Sequence, residues 1–171
     1  RLSSENILAY VDFKNFPENF KRLDSNKKIL GLKKAKKKID LRFSGTVGVD
    51  MDYSKKSAYG SFKEYRLIRK SSKVKILVAP HCFFDNPHPF GLNLFTDVHE
   101  WLEFLVSLSL KTDYEWYVKT HPDFLPKTKK LIDDFFKPHT QFTILPSDSS
   151  HKQIISEGIN FALTIYGTIG F

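Results

Sequence analysis

From Lys73 onward, short apolar runs alternate with helical patterns, and this alternation restricts the fold more than any other property of the chain. "KVKILVAP" (Lys73–Pro80) is rich in β-branched residues and stops at a proline, as a buried strand does. "FTDVHEWLEFLVSLSL" (Phe95–Leu110) places Phe95, Val98, Leu102, Leu105, Val106 and Ser109 along one helical face. Asp97 and Glu100 come early in it, where the helix dipole favours anions. "YEWYVKT" (Tyr114–Thr120) is a second strand, closed by His121-Pro122. "PKTKKLIDDFFK" (Pro126–Lys137) reads as a helix with proline at its start and Leu131, Ile132, Phe135 and Phe136 facing inward. "QFTILP" (Gln141–Pro146) is a third strand. Ser150-His151-Lys152-Gln153 has capping-box spacing and opens a short helix that Gly158 ends. "INFALTIYG" (Ile159–Gly167) is a fourth strand. The order β-α-β-α-β-α-β predicts an α/β fold: a Rossmann-like parallel sheet with helices on both faces.

In open parallel sheets, ligands bind beyond the carboxyl ends of the strands. Four short stretches follow the four strands: His81–Gly91, His121-Pro122-Asp123, Pro146–Ser150 and Gly167–Gly170. Polar, turn-forming and small residues collect in all of them. In "KTHPDF", Lys119 ends the strand, and Pro122 restricts His121 to an extended backbone. A histidine held this way can donate to a phosphate oxygen while the lysine supplies charge. "HCFFDNPHPFG" gathers His81, Asp85 and His88. Asp85 suits a general base or a partner that orients His88, and His81 suits a phosphate or sugar contact. The spacing matches no strong metal signature, and no metal site is expected. In "LPSDSSHKQ", serine and aspartate are ordinary cap residues. After the fourth strand, Gly167, Thr168 and Gly170 let the backbone pass close to a ligand, and a following helix would aim its first N–H groups there.

The 171 residues before and after Lys73 differ in character. Residues 1–72 are polar, basic and weakly patterned, with helical stretches expected over Ser4–Asp12 and Pro17–Lys38. Seven lysines (27, 28, 33, 34, 36, 37 and 38) lie in "NKKILGLKKAKKKID", and without them the net charge of +8 falls to +1. The cluster is either a solvated helix face or a patch for anionic lipid head groups or an anionic polymer. No stacking-aromatic motif accompanies it, so specific nucleic-acid binding is not expected. One cysteine excludes a disulfide framework. No apolar run approaches the roughly 18–20 residues of a membrane span. The chain starts at Arg1 rather than methionine, and it reads as a piece of a longer protein.

"KILVAPHCFFDNPHPFG", "LFTDVHEWLEFL", "YEWYVKTHPDF" and "LTIYGTIGF" together resemble bacterial capsular and surface polysaccharide biosynthesis proteins of glycosyltransferase type. The resemblance covers residues 73–171. It implies a GT-B arrangement, in which 73–171 are the Rossmann-like nucleotide-sugar-binding domain, truncated at its C-terminus, and 1–72 the end of the N-terminal domain and a linker. His121-Pro122 is similar to the "HP" pair that contacts the nucleotide phosphate in bacterial sialyltransferases and 3-deoxy-manno-octulosonate transferases. The resemblance further implies that Tyr166, Gly167, Thr168 and Gly170 lie by the phosphates, with His81 and Lys119 nearby. Asp85 and His88 are then candidate catalytic groups. No cofactor is implied beyond the nucleotide-sugar donor as substrate. The implied acceptor is a polysaccharide or a lipid-linked intermediate. The implied location is the cytoplasm, with peripheral contact to the inner face of the membrane through Lys27–Lys38. The competing expectation is a non-catalytic module that binds an anionic polysaccharide or lipid-linked intermediate through the same lysines.

Overall fold

The computed structural model describes residues 15–49, 52, 54–80, 83, 94–164 and 169. The chain divides into two compact units, Arg1–Leu41 and Arg42–Phe171. The first contains helix α1 (Phe16–Arg22) and most of α2 (Ser25–Phe43). The break between them falls at Leu23, whose backbone is extended, and Asp24 accepts the Lys27 amide at 2.9 Å to start the next helix. Neither helix buries a residue. The helix expected over Pro17–Lys38 is therefore two, and the one expected over Ser4–Asp12 lies outside the described residues.

The second unit is the sheet. Strands β1 (Lys75–Val78), β2 (Glu115–Val118), β3 (Phe142–Ile144) and β4 (Phe161–Leu163) alternate with helices α3 (Val98–Ser109), α4 (Pro126–Phe136) and α5 (His151–Ser156). All pairings are parallel, and the spatial order is β3-β2-β1-β4. The register places Ile76 beside Trp116 and Phe161, and Val118 beside Val78 and Ile144. The chain thus walks outward from β1 to β3 and then returns to the far side of β1.

Side chains alternate across the pleat and build two cores. Ile76, Val78, Trp116 and Val118 face α3 and α4, where Trp101, Leu102, Leu105, Ile132 and Phe136 cover them. Leu77 and Tyr117 face the other way, against Ile154 of α5 and against Leu67 and Ile68. A right-handed crossover that reverses direction along the sheet must pass on the opposite face, which is where α5 lies.

The helix ends follow the sequence in part. Asp97 caps α3 by accepting the Glu100 amide at 2.9 Å, and Glu100 accepts the Thr96 amide at 2.7 Å in return. Gly158 ends α5 with φ +100°, a left-handed turn that a side chain would strain. Ser150 does not complete a capping box: it stands at the N-cap of α5 but makes no side-chain cap bond. Gln153 instead binds Lys63, Tyr65 and Glu157. The inward face of α4 is Thr128, Ile132 and Phe136, four residues apart, while Leu131 lies on the flank and is 49% exposed.

Residues 42–72 belong with the sheet. The sequence placed them at the end of a preceding domain and its linker, but the compact unit starts at Arg42. Within them, residues 54–72 run as a strap against α5 and the strand exits. Glu157 accepts the Leu67 and Ile68 amides, each at 2.7 Å, and the Tyr117 hydroxyl accepts the Arg69 amide at 3.1 Å. The apolar residues here are scattered, with Leu67-Ile68 the one aliphatic pair, and carry no clear period.

Candidate functional site at the carboxyl edge of the sheet

The order β3-β2-β1-β4 creates a topological switch point between β1 and β4: β1 leads away to β2, and β4 is reached by the crossover that returns past β1. Ala79 continues the ladder past β1 by donating to Leu163 O at 2.8 Å. The chain then enters residues that carry His81, Asp85 and His88, and after β4 those that carry Tyr166, Gly167, Thr168 and Gly170; these positions lie outside the described residues.

The β2 exit is described in full. Lys119 extends the ladder, its amide donating to Val78 O at 3.0 Å. The next residues are Thr120, buried, His121, exposed, and Pro122, buried. The Asp123 amide donates to His121 Nδ1 at 3.1 Å, which makes Nε2 the protonated nitrogen of the neutral ring. Asp123 Oδ2 accepts the Lys55 and Lys56 amides at 3.0 and 3.2 Å and ties the strap to this loop.

The β3 exit lies alongside. Leu145 donates to Val118 O at 2.8 Å, so the run from Pro146 to His151 starts beside the end of β2. Asp148 pairs with Lys63 at 2.5 Å, and this bond holds the carboxyl below its usual range. Ser149 and Ser150 are fully buried, and neither hydroxyl has a partner among the described residues. The His151 amide donates to Ala58 O at 2.8 Å, and its ring meets Tyr59 edge-on at 5.3 Å.

Two titrating groups are strongly displaced. Burial lowers Lys119, only 2% exposed, to about 8, against the pull of Asp148. Burial lowers His151 to about 3, helped by the repulsion that Lys119, Arg42 and, when protonated, His121 exert on its charged form. His151 is therefore neutral at pH 7. The mutual effect of these groups places Lys119, His121, Asp148 and His151 in one electrostatic neighbourhood.

Of the residues expected from sequence, Lys119, His121 and Pro122 stand at the expected strand exit, with Lys119 buried beneath it. Ser149, Ser150 and His151 join them. The sequence showed a serine-serine-histidine run after a strand, but capping accounts for such a run equally well until its hydrogen bonds are known. No group of three or more metal-ligating side chains occurs among the described residues. An apolar recess between α5, β1 and β4, lined by Leu77, Ile154, Ala162 and Ile169 with His151 at its edge, lies on the α5 face. No protein-family model, curated protein or solved structure matches the chain.

Proposed function

We propose that the sheet is the donor-binding half of a glycosyltransferase that moves a sugar from a nucleotide-sugar to a growing capsular or surface polysaccharide, at the cytoplasmic side of the membrane. The observation that carries the reading is the pairing of a β3-β2-β1-β4 switch-point sheet with a lysine and a histidine at the exit of β2. A leaving nucleotide phosphate develops negative charge, and donors fixed in advance at that position favour its departure. His121 Nε2–H is such a donor, and Lys119 supplies positive charge to the same edge. Removal of the acceptor proton is assigned to Asp85 or His88. The likeness of four sequence segments to polysaccharide biosynthesis proteins supports the sugar-transfer class.

Thermal unfolding of the chain against CMP, UDP, GDP and CDP tests this reading, with His121→Ala beside it. A ligand that binds only the folded state raises the midpoint by mass action. One nucleotide is expected to raise it, and His121→Ala to abolish the rise. A folded chain indifferent to all four overturns the reading.

A second reading has its own observation. The α2 lysines are exposed except Lys28, which is half-buried, and so are Ile29 and Leu32 between them and Ile39 just after them. No helix among the described residues is long and apolar enough to cross a membrane. A basic helix with exposed apolar side chains suits an anionic lipid surface or polymer. Salt-sensitive binding to such a polymer, unchanged by nucleotides and by His121→Ala, favours this module over the transferase.

A further inference from the structure

Three consecutive residues bury polar side-chain atoms without a hydrogen-bond partner among the described residues: Ser149 Oγ, Ser150 Oγ and His151 Nδ1. A buried hydroxyl left unsatisfied costs about 1–3 kcal/mol. Capping, the ordinary reason for serine before a helix, does not apply, because Ser150 makes no cap bond. Lys119, a residue only 2% exposed, stands at the neighbouring exit of β2, and its charge acts on His151 of this run. The acid whose charge acts on Lys119, Asp148, is itself paired with Lys63. A buried cation and adjacent orphan hydroxyls are each unfavourable alone. A single group resolves all of them if it is negative and accepts several hydrogen bonds at once.

We propose that Lys119, Ser149 and Ser150 form a built pocket for a phosphate-type oxyanion. Its oxygens accept from both hydroxyls while the ammonium neutralises the charge. His151, kept neutral, contributes a hydrogen-bonding nitrogen. The strap controls access: Ala58 and Tyr59 hold it on His151, and Lys55 and Lys56 hold it on Asp123. It must lift for an anion to reach the serines. The inference rests on the carboxyl edge being the ligand side, as in the nucleotide-sugar reading. It adds the exit of β3 to that of β2 as the source of phosphate contacts. The oxyanion is either the donor's phosphate or a free one.

The test titrates the full chain with inorganic phosphate, pyrophosphate and the nucleoside diphosphates, following the thermal midpoint. The S149A/S150A double variant and Lys119→Met are measured in parallel. Phosphate or pyrophosphate is expected to raise the wild-type midpoint. Without ligand, the double variant is expected to unfold at or above the wild-type temperature, since it loses two orphan groups, while its phosphate affinity falls at least tenfold. Lys119→Met should show the same pair of effects. A double variant that loses stability yet binds phosphate as the wild type does overturns the proposal, because the hydroxyls then serve the fold. So does a wild-type chain unresponsive to phosphate and pyrophosphate. Competition between a nucleoside diphosphate and phosphate identifies the donor as the source; a response to phosphate alone identifies a free anion. Nucleotide binding lost in His121→Ala but intact in the serine variant sinks the pocket alone. Phosphate binding lost in the serine variant, with no nucleotide response anywhere, sinks the nucleotide-sugar reading alone.

Discussion

Lys119 is the most consequential single side chain at the carboxyl edge, because its charge is expensive where it sits. Its folded pKa, about 8, lies below the ordinary lysine value of 10.5, so the folded state binds fewer protons than the unfolded state between those values. Stability attributable to this group therefore rises as pH climbs from about 8 to about 10.5, and the full penalty is present below 8. Lys119→Met keeps the volume and removes the charge. It is expected to stabilise the chain at pH 7 by roughly 1–3 kcal/mol, with most of the gain gone by pH 10.5. Urea unfolding at the two pH values checks this. His151 has the same sign in a lower window. Its folded value of about 3 lies below the ordinary 6.5, so its contribution is lost as pH falls from 6.5 towards 3. His151→Phe should flatten the acid limb of the stability curve over that range.

At the scale of elements, α5 is six residues long and depends on the strap for its place. Glu157 is the clasp. Burial raises its pKa, but hydrogen bonds from Ile68, Gln153 and Leu67 outweigh this and leave the carboxyl below its usual range. Glu157→Ala leaves the Leu67 and Ile68 amides without their acceptor. It is expected to cost about 1–3 kcal/mol, read from the urea midpoint, and to free the strap before the sheet melts, read from early amide exchange at Ile68. Such long-range clasps are not legible in a sequence. Glu157 looks like any polar residue before a glycine, and its partners lie about ninety positions away. The strands were legible because each pairs an apolar run with a polar or proline stop. Their order was not: alternation predicts a parallel sheet but does not say that β4 returns to the outer side of β1. At the site, the position of Lys119 could be read and its burial could not. Ser149 and Ser150 were ambiguous because caps and ligand contacts draw on the same residue types.

At the scale of the whole molecule, Arg42–Phe171 holds the four described strands and both cores. A chain beginning at Arg42 is expected to unfold cooperatively with a midpoint close to that of the full chain, measured by calorimetry. Loss of cooperativity would show that residues 1–41 contribute to the sheet's stability. The two cores also divide what can be observed by light. Both tryptophans of the chain, Trp101 and Trp116, belong to the core beneath α3 and α4, and none lies on the α5 face. Intrinsic indole emission is therefore a one-sided gauge. It follows the loosening of one face of the sheet and is nearly blind to the strap, α5 and the loops where a ligand is expected. An unfolding curve recorded by fluorescence alone can look two-state while the opposite face has already opened. A tryptophan placed at Tyr59, against His151, would give that second face a signal of its own.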